Sequence, residues 1–263
     1  MLPPEKLPLQ KYEERYCAFV DILGFSDLIN RLKKGETDFT AVRGLLRVIH
    51  DPPFMVFSEV AEKSDFRAQQ ISDAVCISTI CNAAGLNHLF AALTEMSMRL
   101  LHAGYFVRGA LVKGILYHDD DMAFGDALIQ AYKLEQGDVR YPRVMITKDV
   151  AADLSAMTKR DKFGYNLRNS VALSDDGPRF LDVLLQLVVN LRDNKDEETR
   201  LNALARYNET AAKIQLCFED SRDNPQHFEK VQWFARYWNR VAVPWGVKAI
   251  TRPGPDGVST VHV

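Results

Sequence analysis

Two aspartates at the ends of strand-like runs, Asp21 in YCAFVDILGFS and Asp73 in QQISDAV, are the residues of this chain best placed to do chemistry. Cys17, Ala18, Phe19 and Val20 form an apolar run that reads as a buried strand. The run stops at Asp21, and Gly24 then lets the chain turn into a helix, with Ser26 as its expected N-cap. The free backbone N–H groups of such a turn cradle phosphate, and a carboxylate beside it can hold a divalent cation against that same phosphate. Asp73 lies where FRAQQIS meets AVCISTI, two short runs with the character of a β-hairpin. One strand-end aspartate is ordinarily a solvated turn residue. Two of them on neighbouring strands make a two-carboxylate metal site.

Strands and helices must bring these residues together, and the sequence offers them in a definite order. Helical stretches over 26–50 end at Pro52-Pro53, and the hairpin falls at 65–80. A long helix is expected over 83–103, where Leu86, Leu89, Phe90, Leu93, Met96, Leu100 and Leu101 recur at helical spacing before Gly104. YFVRGALVKGILYH reads as two strands punctuated by Gly109 and Gly114, and a helix opens after Gly125 and runs to Glu135. The strand RVMIT, a short helix at 148–156 and short strands at 162–183 follow. The order predicts an α+β fold, a mostly antiparallel sheet of the ferredoxin-related class with helices covering it. Residues 183–221 and 225–242 read as added helices, on the last of which Trp233 and Tyr237 share a packing face. The Gly- and Pro-rich tail AITRPGPDGVSTVHV reads as an extended arm without fixed structure.

Composition narrows the function classes. With 263 residues, 47% of them hydrophobic, the chain can bury a substantial core. The net charge of −2 and the dispersed lysines and arginines argue against a nucleic-acid-binding or membrane-binding face, and no apolar run reaches the ~20 residues of a membrane span. A start without an apolar signal core reads as a short leader, residues 1–15, on a cytoplasmic protein. Cys17, Cys76, Cys81 and Cys217 form no CxxC pair and read as reduced core residues. The six histidines show no HExxH spacing and read as surface or half-buried residues.

The succession FVDILGFS, ISDAV, RGALVKG and FGDALIQAYKLE resembles the catalytic domain of class III nucleotide cyclases. The FVDILGFS wording and the helical C-terminal part are similar to the bacterial pyrimidine cyclases of Pycsar anti-phage defence. The resemblance implies a catalytic domain at 16–183, a helical extension at 184–243 and a tail at 244–263. It assigns Asp21, the carbonyl of Ile22 and Asp73 to two Mg²⁺ or Mn²⁺ ions, and the turn amides of Gly24, Phe25 and Ser26 to the triphosphate. It also implies a homodimer with sites shared between the two chains.

Departures from the purine enzymes bear on the substrate. Where those enzymes read the base with a lysine or glutamate, this chain has Gln69, which strand alternation puts on one face with Arg67, Ile71 and Asp73. A neutral amide donates and accepts, and so suits uracil or cytosine; the plain alternative is a polar edge-strand residue. Ile129 and Lys133 stand where the purine enzymes carry a ribose-orienting asparagine and a transition-state arginine. Lys133 can neutralise charge on the α-phosphate as a point charge. Arg108 and Arg143 either approach phosphates or pair with acids such as Asp126 or Glu135, with Arg108 ranked first. The expected activity is conversion of UTP to 3′,5′-cyclic UMP and pyrophosphate, with the product read by a separate cyclic-nucleotide-binding effector. The alternatives are the corresponding CTP reaction and a catalytically silent relative that binds a nucleotide or a partner.

Overall fold

The computed structural model describes residues 12–50, 62–157 and 169–254. The strand β1 (Glu13–Leu23) is buried along most of its length because it has a partner on each side. Helices α1 (Phe25–Lys33) and α2 (Phe39–His50) lead from it to the hairpin of β2 (Arg67–Ile71) and β3 (Ala74–Ile80). Helix α3 (Ala83–His102) then leads to β4 (Phe106–His118), and β1 pairs antiparallel with both β3 and β4. The spatial order β2-β3-β1-β4, with each helical crossover spanning one intervening strand, is the split βαβ arrangement of a ferredoxin-like layer.

The sheet continues beyond that unit. The short β5 (Ala123–Phe124) folds back on the end of β4, and α4 (Asp126–Gly137) follows it. Next, β6 (Val144–Ile146) joins β4 in parallel and leads to α5 (Lys148–Ala156); β7 (Val171–Leu173) and β8 (Arg179–Leu181) complete the far edge. The chain ends in α6 (Leu185–Arg192), α7 (Glu197–Asp220), α8 (Pro225–Ala242) and a 3-10 turn at Val243–Trp245. The α+β architecture with a mostly antiparallel sheet is therefore the one the sequence predicts. Among the described residues no helix is long and apolar enough to cross a membrane.

Alternation along β1 separates two cores. Tyr16, Ala18, Val20 and Ile22 join the larger one, shared with α3, α7 and α8. Cys17 and Phe19 join a smaller one with Cys76, Val112 and Leu116, which is roofed by Ala127 and Ala131 of α4. Asp21 is next in the odd-numbered series. It therefore belongs to the thinly covered face.

Several expectations need correcting. The strand β4 runs unbroken through Gly109 and Gly114. Gly109 is there for space: a Cβ at that position would meet the Phe19 carbonyl oxygen at 2.5 Å and a Val20 methyl at 2.8 Å. The first C-terminal helical stretch is two helices, separated around Asp193–Asp196, with the Asp196 carboxylate capping α7 by accepting from the Thr199 N–H at 2.8 Å. His88 and His118 are buried, each within hydrogen-bond distance of a serine hydroxyl, at 2.7 Å and 2.8 Å. The tail is pinned as far as residue 254. Val247 and Ile250 are buried, the Asn239 amide exchanges two 2.8 Å hydrogen bonds with the Ile250 backbone, and the Trp238 indole donates to the Lys248 carbonyl at 3.1 Å. Side-chain amides and an indole replace the partners that an extended segment would otherwise find in water. Trp233 and Tyr237 do pack on a shared face, with ring centroids 5.6 Å and 5.3 Å from that of Phe180. The Pro52-Pro53 break, part of the 162–183 strand region and the end of the tail lie outside the described residues.

Candidate active site

Register brings the two aspartates together. Asp21 stands opposite Ala74 on β3 and opposite Arg108 on β4. Asp73, one residue before Ala74, sits in the two-residue turn of the β2–β3 hairpin, where Ser72 takes a positive φ of 60°. The strand thus ends at Ile71, and Asp73 is a turn residue rather than a continuation of the Arg67, Gln69, Ile71 face. Its carboxyl nevertheless lies near that of Asp21, whose pKa is pushed up to about 7 by burial first, then by the charges of Asp73 and Glu135, with Arg108 opposing. A carboxylate beside another disfavours its charged form.

The third carboxyl was missed as a site residue. Glu135 of α4 has no solvent exposure, pairs with the Arg108 guanidinium and accepts from the Gln136 side-chain amide at 2.6 Å. Arg108 also lies 3.7 Å from Asp21, and its buried Nε finds no hydrogen-bond partner among the described residues. The signal was in the sequence. Ala127, Ala131 and Glu135 recur every four residues and form the buried stripe of α4.

Gly24 holds the N-cap position of α1 in the left-handed conformation, with φ 84°, so Ser26 is the second helical residue and not the cap. The first-turn N–H groups of Asp27 and Leu28 reach the Gly24 carbonyl, each at 3.1 Å, whereas those of Phe25 and Ser26 have no acceptor among the described residues. The Ile22 side chain is buried in the larger core directly after Asp21.

At the β2 edge, Arg67 and Gln69 are both tied to the loop 119–122. Arg67 donates to the Asp120 carboxylate at 2.5 Å and to Asp65 at 3.0 Å, and Gln69 donates through Nε2 to the Asp121 carbonyl at 2.8 Å. An open cleft of about 580 Å³ lies here, lined by Phe25, Leu46, Gln69, Gln70, Ser72 and Asp120. It runs from the first residue of α1 to the hairpin turn, so Phe25 and Gln69 share one cavity. Lys133 is not brought to the carboxylates. It lies exposed on α4, one turn after the exposed Ile129 and on the side opposite Glu135. Arg143 is also elsewhere, buried and bonded to both oxygens of Asp176, at 2.6 Å and 2.7 Å.

The donor set suits a hard divalent cation. The Asp21–Asp73 pair offers carboxylate oxygens whose mutual repulsion such a cation would relieve, and a small cation that keeps several waters needs few protein ligands. No cluster of three or more metal-type side chains occurs among the described residues, and Glu135 is paired with Arg108.

No family model matches the chain, and no curated protein matches it. Among solved structures it is similar to the catalytic core of a rhodopsin-guanylyl cyclase with converted specificity, determined in complex with ATPαS, at 12% identity and a TM-score of 0.41 over 65% of this chain and 95% of that one. A likeness of that size assigns neither a family nor an activity.

Proposed function

We propose that the protein is a metal-dependent pyrimidine nucleotide cyclase that converts UTP, or alternatively CTP, to the 3′,5′-cyclic monophosphate and pyrophosphate. The observation that carries the reading is the Asp21–Asp73 carboxyl pair beside the Gly24 turn, where acceptors for a cation and unpaired donors for a phosphate stand at the same end of the sheet. In the reaction the 3′-oxygen bonds to the α-phosphorus, the bond from that phosphorus to the α,β-bridging oxygen breaks, and the hydroxyl proton is lost to solvent. Mg²⁺ or Mn²⁺ held by Asp21 and Asp73, with the Ile22 carbonyl as a further ligand, would polarise the α-phosphate and neutralise the leaving pyrophosphate. The N–H groups of Phe25 and Ser26 donate to phosphate oxygens. Arg108 lowers the cost of gathering three carboxyls at one place.

Base selection is assigned to Gln69, with Arg67 fixing the loop behind it. With Nε2 given to the Asp121 carbonyl, Gln69 presents its Oε1 as an acceptor, which meets the N3–H of uracil or the N4 amino group of cytosine equally well. Lys133 acts on the α-phosphate of a second copy of the chain in a homodimer. Its exposure on α4, among the exposed Phe124, Ile129 and Tyr132, supports that placement. The product is a second messenger in anti-phage defence, taken up by a separate effector. Incubating the purified protein with each of the four NTPs and Mn²⁺ tests the reading: pyrophosphate and a cyclic pyrimidine nucleotide are expected, and release of neither from UTP nor CTP would reject it.

A further inference from the structure

Helix α8, outside the ferredoxin-like unit, docks beside the end of the sheet that carries the carboxylates. Phe234 packs edge-on against Phe106 at 4.9 Å, and Glu229 draws in both the Arg140 guanidinium and the Tyr141 hydroxyl, the latter at 3.1 Å. Trp233 stacks on Tyr141 at 5.4 Å. Phe106 lies two residues before Arg108 on β4, and Lys230 lies one turn before Phe234 on α8, so these contacts bring Lys230 toward Arg108. The charges that act on Lys230 are those of Arg108, Arg140 and Glu135, and burial together with the two arginines pulls its pKa down. Next to it on α8, His227 senses Asp27 in the first turn of α1.

The charge accounting around Lys230 is uneven. Arg140 is paired with Glu229, and Arg108 with Glu135. Lys230 is half-buried and has no ion pair or hydrogen bond among the described residues. A lysine with no carboxylate of its own beside two arginines gains from an anion placed between it and Arg108. We propose that Lys230 is a phosphate-binding residue, with which the C-terminal helical region completes, within one chain, the site for the di- or triphosphate group of the ligand. The source of the anion as a nucleotide triphosphate rests on the cyclase reading above; the anion site itself stands on the docking of α8.

Calorimetric titration with inorganic pyrophosphate, without nucleotide or divalent cation, tests this on the full chain. Wild type is expected to bind, Lys230→Gln to bind about tenfold more weakly, and Lys230→Arg to stay within about threefold, because a point charge is what the site requires. The Lys230→Gln variant should also show a shallower dependence of affinity on salt. Lys230→Met, which keeps the apolar stem, provides the same loss of charge if Lys230→Gln fails to fold. Pyrophosphate affinity unchanged in a folded Lys230→Gln or Lys230→Met variant, or no binding by wild type, would overturn the assignment. UTP kinetics separate it from the proposed function. A KM raised by Lys230→Gln with kcat less affected supports both. Lys230-dependent pyrophosphate binding without turnover of any NTP retains the anion site and discards the cyclase.

Discussion

The two faces of the sheet use the same strands, yet they treat an arginine in opposite ways. On the face packed by α3 and α8, Arg143 is bonded by both terminal nitrogens to Asp176 and to the Ser174 hydroxyl, and Trp233 lies 5.4 Å from its guanidinium. On the face roofed by α4, Arg108 stands among three carboxyls, one of them 3.7 Å away and one fully buried. The first arrangement is matched one cation to one carboxylate and closes a turn. The second has more acid than base. An excess of buried charge is costly unless a ligand answers it, so the mismatch marks the face where ligands belong.

The sharpest way to test that contrast is to remove charge from each side. Asp21→Asn should reduce cyclase turnover by a thousandfold or more, about 4 kcal/mol in the barrier, while the melting temperature in the absence of divalent cation stays level or rises. Relief of repulsion from Asp73 and Glu135 is the cause of the rise. A variant that lost stability and kept turnover would reverse the roles of the two faces. On the other side, Phe180→Ala should cost about 3–5 kcal/mol in chemical denaturation, because Phe180 is 1% exposed between Trp233 and Tyr237.

The carboxylate face was largely legible in the sequence where local rules suffice. Asp21 and Asp73 were visible as carboxylates that end apolar runs, and Gly24 as the turn between strand and helix, because strand termini and left-handed turns have residue-level signatures. Ser26 was misplaced by two positions since the glycine itself occupies the cap. Glu135 had a local signature in the four-residue alanine stripe, on the side of the helix opposite Lys133. Lys230 and the pinned tail had none. Their positions follow from how α8 docks on β4 and on the loop before β6, a long-range event that no periodicity within α8 encodes. Gly109 was read as a break for the same reason: the close approach of β1 that requires it belongs to the folded sheet.

Acid titration should separate the faces by sign. The Arg143 guanidinium beside Asp176 holds its carboxyl down to about 2, so this pair stabilises the fold above the ordinary aspartate range and the contribution is lost as pH falls from about 4 to about 2. Asp176 is 39% exposed, and solvent screening keeps the effect to about 1 kcal/mol. Asp21, raised to about 7, runs the other way: without divalent cation its contribution is full below about 4 and is lost as pH rises toward 7. Denaturation curves of both variants should therefore meet that of wild type in acid and part from it near neutral pH with opposite sign, Asp176→Asn less stable and Asp21→Asn at least as stable. If both variants departed from wild type in the same direction, the two sites would be electrostatically alike.

The smallest effect concerns what lies over α4. Ile129 is 53% exposed, and replacing an exposed residue with no partner normally shifts stability by no more than about 0.5 kcal/mol, so Ile129→Asn should melt with wild type in dilute solution. At high concentration the two should part. If a second copy covers this face and delivers Lys133, wild type gains stability by mass action while Ile129→Asn, with an amide in place of an apolar contact, gains less. Melting temperatures across a hundredfold range of protein concentration decide it. A rising wild-type curve above a flatter variant curve means that the thin cover of the active face is completed by association. Two flat curves mean that α4 alone is its whole roof, and Lys133 then has no second site to serve.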